Sequence, residues 1–175
     1  MVDIAEFYNV KVFKKACEDY LLKTEWNLIN VFPMLDLAFK YSLEDLKKSL
    51  LDFVSKNLSV FLKCDKFQDL SHSIVYDIIK SNENTVRQEE LFEMVFKRAE
   101  KQALEKQKSD KNLNEAIICF LPFEMMKEEL SVFLQFIKFH MMNHEFIMTF
   151  VGKIFISFKS YHNSIFSKQL FSIFW

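Results

Sequence analysis

MVDIAEFYNVKVFKKACEDYLLKT (residues 1–24) and MLDLAFKYSLEDLKKSLLDFVSKN (residues 34–57) align without a gap. Met1 falls on Met34, Asp3 on Asp36, Ala5 on Ala38 and Tyr8 on Tyr41. Lys14 and Lys15 fall on Lys47 and Lys48, Asp19 on Asp52 and Lys23 on Lys56. Most other pairs exchange one apolar residue for another, as in Ile4 for Leu37, Phe13 for Leu46 and Tyr20 for Phe53. A period of about 33 residues is the length of one helix–turn–helix unit in helical arrays. Such a unit cannot bury its apolar face alone, so it stacks on a neighbour. The repeat predicts a helical scaffold that binds partners rather than a catalytic pocket.

Composition supports that class. A chain of 175 residues, half of them apolar, fits one domain or one domain with an appendage and affords a sizeable core. Its formal net charge of −1 carries no basic excess for nucleic acid. It has 21 Phe, two Pro and one Gly, so the usual punctuation of β-rich folds is nearly absent. With Gly152 as the sole glycine, no Gly-rich phosphate-binding loop exists. Cys17, Cys64 and Cys119 lie far apart, with no CxxC spacing, and read as buried reduced thiols. Asp3 and Glu6 interrupt any apolar start, so no signal peptide is expected and the setting reads as intracellular and reducing.

Outward from the repeat, Val2–Tyr8 reads as a short helix broken at Asn9, and Val10–Leu22 as a second helix. Phe13, Ala16, Cys17, Tyr20 and Leu21 form the inner stripe of the second helix. A third helix is expected over Leu28–Tyr41, with Pro33 near its first turn, where a missing N–H costs least. Ser42 then opens a fourth helix, with Asp45 completing a capping box. Leu43, Leu46, Leu50, Phe53 and Val54 are its buried stripe, and Asn57 ends it in the left-handed conformation. Leu58–Lys63 continues as a short helix, Asp65–Ser71 as a turn anchored by Phe67 and Leu70, and Ser71–Lys80 as a helix. The polar run SNENT (81–85) is a loop, and a long helix covers Arg87–Gln107. KQKSDKNLN (106–114) is the clearest linker; an apolar run (115–123) and a helix over Met125–Phe136 follow. The last stretch is rich in Phe and Ile. Lys138, His140, His144, Glu145 and Lys153 interrupt it too often for a membrane span. Gly152–Tyr161 alternates loosely, as a strand would.

No catalytic, cofactor-binding or metal-ligating residue is assigned, and no cofactor is expected. Glu18–Asp19, Glu44–Asp45, Glu89–Glu90 and Glu128–Glu129 are adjacent pairs, which on a helix point about 100° apart and do not converge. Solvated helix faces account for them. His140 and His144 would share one face of a helix, but position 141 is Met where a metalloprotease helix needs Glu. Ser42, Ser71 and Ser131 lack the context of a hydrolase nucleophile, and Cys17 has no nearby His in sequence. Lys97, Arg98, Lys101, Lys106 and Lys108 are offset by Glu93, Glu100 and Glu105, as on a solvated face. The Phe-rich end reads as a partner-binding surface, an aggregation-prone end or ordinary packing.

The pattern Ile4–Ala5–x–x–Tyr8, then Cys17–Glu18–x–x–Leu21, Asn30–Val31, Leu35–x–Leu37–Ala38–x–x–Tyr41, Leu46 and Phe53 resembles the end of a BTB domain and the helical segment after it. Phe67–x–x–Leu70, then Ile79–Lys80–Ser81, Val86, Glu89 or Glu90 and Phe92 resemble a BACK domain. Ile118–Cys119–Phe120 and Glu128–Glu129–Leu130 echo later BACK elements, with Cys119 standing where Arg is usual. The resemblance implies BTB C-terminal helices at 1–26, a post-BTB helical pair at 27–63, a BACK-like region at 64–130 and a Phe-rich tail of unassigned structure at 131–175.

The fold expected is mostly α, with stacked antiparallel helical hairpins in a BACK-like bundle. A protein-interaction module follows, resembling part of a substrate adaptor for a cullin–RING ubiquitin ligase. Its partners would be a cullin scaffold and a substrate protein, with no nucleic acid and no membrane span. The resemblance further implies no enzymatic activity and a cytoplasmic or nuclear location. The strand-rich BTB core, which would carry BTB-type dimerisation and most of the cullin contact, is not among these residues, so the chain reads as a fragment, a truncated gene product or a diverged member. A helical-repeat scaffold unrelated to ubiquitin is the alternative.

Overall fold

Helices form the first unit in quick succession: α1 (Val2–Phe7), α2 (Lys11–Leu21), α3 (Val31–Lys40), α4 (Glu44–Lys56), α5 (Leu58–Leu62), a 3₁₀ turn (Asp65–Asp69) and α6 (His72–Asn82). The second unit holds α7 (Gln88–Ser109) and α8 (Leu121–Leu134). It continues with a 3₁₀ turn (Phe139–Met141) and a short α9 (His144–Phe146) that runs into a π-helical turn (Ile147–Val151). The computed structural model describes residues 1–84, 87–109 and 121–152, and no strand occurs among them. The chain divides into Met1–Thr85 and Val86–Trp175. Most of the linker (106–114), most of the apolar run at 115–123, Cys119 and the tail beyond Gly152 lie outside the described residues. Of the expected strand only Gly152 is described, and its φ of −60° and ψ of −41° are helical.

The repeat is visible in the backbone. Among the described residues, Asn9 (φ 53°) and Ser42 (φ 49°) are the two non-glycine residues with positive φ, and they are equivalent positions of the two units. After α1, Val10 N–H donates to Ala5 at 2.9 Å and Asn9 N–H to Glu6 at 3.0 Å. After α3, Leu43 N–H donates to Ala38 at 2.9 Å and Ser42 N–H to Phe39 at 3.3 Å. This is the Schellman pattern, in which one left-handed residue satisfies the last carbonyls and turns the chain. Ser42 therefore closes α3 and does not open α4, and the expected capping box with Asp45 is absent. The N-cap of α4 is Leu43, whose side chain cannot accept a hydrogen bond. Asn57 departs from expectation too, with φ −120° and ψ 21°; its side-chain amide donates to Phe53 O at 2.9 Å and satisfies a terminal carbonyl instead.

Left-handed backbone costs an L-residue about 1–2 kcal/mol. Glycine avoids that cost but gives back about 0.5–1 kcal/mol through the entropy of its unfolded chain. Ser42 is exposed, so Ser42→Gly loses no packing. The substitution is expected to raise stability by about 0.5–1 kcal/mol, read as a higher urea midpoint at unchanged slope.

The first core gathers Val31, Leu35, Ala38, Leu43, Leu46, Leu50 and Val54, each 1% exposed or less. Helix α3 packs on α4, and α6 lies against both. Phe61 on α5 is fully buried, stacked on Phe32 at 4.6 Å and edge-on to Phe67 at 6.1 Å. In α2 the inner stripe is narrower than expected. Cys17 is buried, but Tyr20 is 74% exposed. The buried neighbour of Cys17 is the charged Glu18, at 6% exposure.

In the second unit α7 packs along α8. Phe92 sits among Phe139, Phe146 and Phe150, with ring centroids 5.6, 6.5 and 6.2 Å away. The first turn of α7 also fixes the chain after α8: Gln88 accepts from Lys138 N–H at 2.8 Å and Glu89 from Asn143 N–H at 2.7 Å. The hydrogen bond from Asn143 holds the Glu89 carboxyl below the usual range. A depressed folded-state value gives stability that is present above the ordinary glutamate pKa and lost as pH falls through the folded one. Wild type is therefore expected to lose more thermal stability than Glu89→Gln between pH 6 and the acid side of about pH 4, as paired melting curves would record.

A candidate interaction surface on the repeat hairpins

The α1–α2 and α3–α4 hairpins are tied side to side by polar contacts at repeat positions. Tyr41 Oη donates to the Asp3 carboxylate, and Lys40 Nζ stands 3.7 Å from it. Trp26 Nε1 donates to Ser49 Oγ at 3.1 Å. Lys15 Nζ reaches Asp45, Glu18 and Asp19 together. Hydrogen bonds from Lys15 to Asp45 and then Glu18 hold its ammonium well above the usual lysine range, and the same lysine holds the Asp45 carboxyl down.

Glu18 supplies what Leu43 cannot. Its Oε1 accepts from Asp45 N–H at 2.9 Å and Leu46 N–H at 3.1 Å, the first amides of α4, while Oε2 accepts from Lys15 at 3.1 Å. A carboxylate at a helix N-terminus meets both free N–H groups and the positive end of the dipole. This cap comes from another helix 27 residues away, so no local spacing rule reveals it.

With one side docked, the outer side of α3–α4 is left charged and wet. Asp36, Glu44, Lys48, Asp52 and Lys56 are exposed, and Lys56 pairs with Asp52 at 2.7 Å. Ile29, ahead of α3, is 78% exposed. These groups can complement a protein surface but converge on no reacting atom.

Glu18 is not solvated, as expected for an adjacent carboxylate pair, but a buried cap; Glu89 and Glu129 are likewise mostly covered, with side chains 13% and 16% exposed. His140 lies in the 3₁₀ turn and His144 begins α9, so the two do not share a helix. Among the described residues no three His, Cys, Asp or Glu side chains gather as metal ligands. On α7, Lys97 pairs with Glu93 at 2.8 Å and Lys106 with Glu129 at 3.0 Å, whereas Arg98 is 3% exposed and belongs to the interior. Among the described side chains Lys97, Lys101 and Lys106 are each paired with a carboxylate, as the charge spacing suggested; the side chain of Lys108 lies outside them. Among the described residues no helix is long and apolar enough to cross a membrane.

Comparison with known proteins places these helices. The family model described as BACK (BTB And C-terminal Kelch) matches residues 31–117. Human Kelch repeat and BTB domain-containing protein 3 is 28% identical over 88 residues, which are 50% of this chain and 14% of that protein. Human Kelch repeat and BTB domain-containing protein 2 is 31% identical over 90 residues, 51% of this chain and 14% of that protein. The mouse protein 3 is 27% identical over 88 residues, again 50% of this chain and 14% of the relative. The match thus spans only about a seventh of these relatives' length. No solved structure matches the chain. The all-helical described residues, the αα repeat and the match from α3 onward agree, and the chain belongs to the BTB–BACK family through its segment at residues 31–117.

Proposed function

We propose that the chain is a protein–protein interaction module, the BTB C-terminal and BACK region of a substrate adaptor for a cullin–RING ubiquitin ligase. The observation that carries this reading is the BACK match beginning at α3, the helix that opens the second repeat unit. In this reading residues 1–26 are the last BTB helices, 27–63 the helical pair beside the cullin, 64–130 the BACK-like region and 131–175 a tail of separate role. The module performs no chemistry. It holds a substrate protein near the ligase, so its effect is proximity and orientation. Its place is the cytoplasm or the nucleus.

Exposed residues within 27–57 touch the partner, since the buried stripe is spent on the core. Calorimetry against a cullin N-terminal domain tests this, using the chain beside a version extended upstream by a BTB core. The extended version is expected to bind, and the chain alone to bind at least about 100-fold more weakly, because most of the contact lies in that core. Within the extended version, Ile29→Glu is expected to weaken binding about tenfold at unchanged helicity. Nanomolar binding by the chain alone would contradict the assigned role of the core. No binding by either would leave the helical-repeat scaffold as the better reading.

A further inference from the structure

The polar ties between the two hairpins converge on residues 40–49, the corner end of α3–α4. Asp3 holds Tyr41, Lys15 holds Asp45, Glu18 holds the Asp45 and Leu46 amides, and Trp26 holds Ser49. Asp3 and Lys15 have side chains 71% and 49% exposed, and exposed ion pairs contribute little. Glu18 differs, because it is 6% exposed with both oxygens engaged, Oε1 by the two α4 amides and Oε2 by Lys15. A buried carboxylate is tolerated only while its partners stay in place, since losing one leaves its charge uncompensated. Hydrogen bonds also weaken steeply with misalignment, whereas apolar packing is non-directional. Glu18 therefore admits one setting of α4 against α2, where apolar contacts alone would admit several.

We propose that Glu18 is a positioning residue, which fixes the angle at which the outer side of α3–α4 is presented relative to α1–α2. The inference rests on the reading of that outer side as a partner surface. Glu18 lies between α2 and α4 and does not touch the partner. It acts by preorganisation: a partner that spans both the segment before α3 and the α3–α4 side gains from the second contact only where the first has already set its position. In that reading residues 1–26 end one domain and 27–63 form the partner-facing pair, so Glu18 stands where their relative setting is decided. A Ser or Asp at position 43 would cap the same amides locally and leave the hairpins uncoupled. The sequence has Leu43 there and draws the cap from α2 instead.

Trp26 reports on this junction, since its indole N–H bonds Ser49 of α4 at 3.1 Å. In the full chain carrying Trp175→Phe, Glu18→Ala is expected to red-shift Trp26 emission at unchanged helicity. Glu18→Gln keeps an acceptor for the amides and is expected to shift it less. In the version extended upstream by a BTB core, Glu18→Ala is expected to weaken binding to the cullin N-terminal domain about tenfold, with Glu18→Gln recovering most of the loss. Ile29→Glu is expected to cost less than about threefold in the Glu18→Ala background, because a surface no longer held in place contributes little. A merely destabilising role would leave the two losses multiplicative. Lys15→Met removes the Oε2 partner and the tie to Asp45 from an exposed position; it gives the same readouts, at about threefold in affinity, where Glu18→Ala does not fold. Unshifted Trp26 emission, or wild-type affinity in the variants, would overturn the proposal. An extended version that binds no cullin refutes the partner reading instead, and Trp26 emission alone then decides whether Glu18 sets the angle.

Discussion

Phe61→Ala is expected to cost about 3–5 kcal/mol, a large share of what a small domain has to lose. The ring is fully buried and lies between Phe32 and Phe67, so truncation removes transfer free energy, leaves a cavity and breaks two aromatic contacts. Helix α5 has five residues and no side-chain cap, so its order depends on this packing rather than on its own propensity. Urea unfolding followed by tryptophan fluorescence, with Trp26 in the affected unit, measures the loss. Val60→Ala is the control: Val60 neighbours Phe61 but is 56% exposed, and its loss is expected to stay within about 0.5 kcal/mol. Equal losses at the two positions would mean that the aromatic stack does not organise this region.

Glu18→Ala is the second large effect. It removes two charge-assisted bonds to the first amides of α4 and leaves the N–H of buried Leu46 without its acceptor. Loss of a cap costs about 0.5–2 kcal/mol, and a buried unsatisfied donor about 1–3 kcal/mol. Because these overlap, a total of about 2–4 kcal/mol is expected. Glu18→Gln keeps an acceptor in place and should lose about half as much. Amide exchange gives the specific readout, since Asp45 and Leu46 should lose protection in Glu18→Ala while the α6 amides change less. Unaltered exchange at those two amides would remove Glu18 from its role as cap.

The residues differ in how openly they announced these roles. The repeat was legible because apolar and charged residues recur at fixed register, and Asn9 was legible as a break because Asn tolerates left-handed backbone. The register also held the clue to Ser42, which stands opposite Asn9, but the local pattern of Ser followed by Asp points to a cap. Tertiary geometry overrode it. Glu18 was hidden for a different reason: its partners are distant in sequence, and a Glu beside an Asp on a helix reads as solvated. Helical spacing predicts an inward Tyr20, since aromatic residues at that spacing usually face the core. It faces outward because the side of α1–α2 that it occupies has no neighbour within the first unit. The candidate interaction surface on α3–α4 is legible only through the family resemblance, since charges on an outer helix face look alike whether or not they meet a partner.

The twin corners at Asn9 and Ser42 have a consequence for how the protein acquires its shape. Their closing hydrogen bonds span at most five residues, so each bend forms without waiting for a distant segment. The contacts that join the hairpins then link positions about one repeat apart, a modest loop to close. Such a sequence of short closures belongs to the fast end of the range of folding rates, where helical proteins rich in local contacts assemble in microseconds to milliseconds. The first unit can thus reach its native arrangement during synthesis, as soon as α6 has emerged.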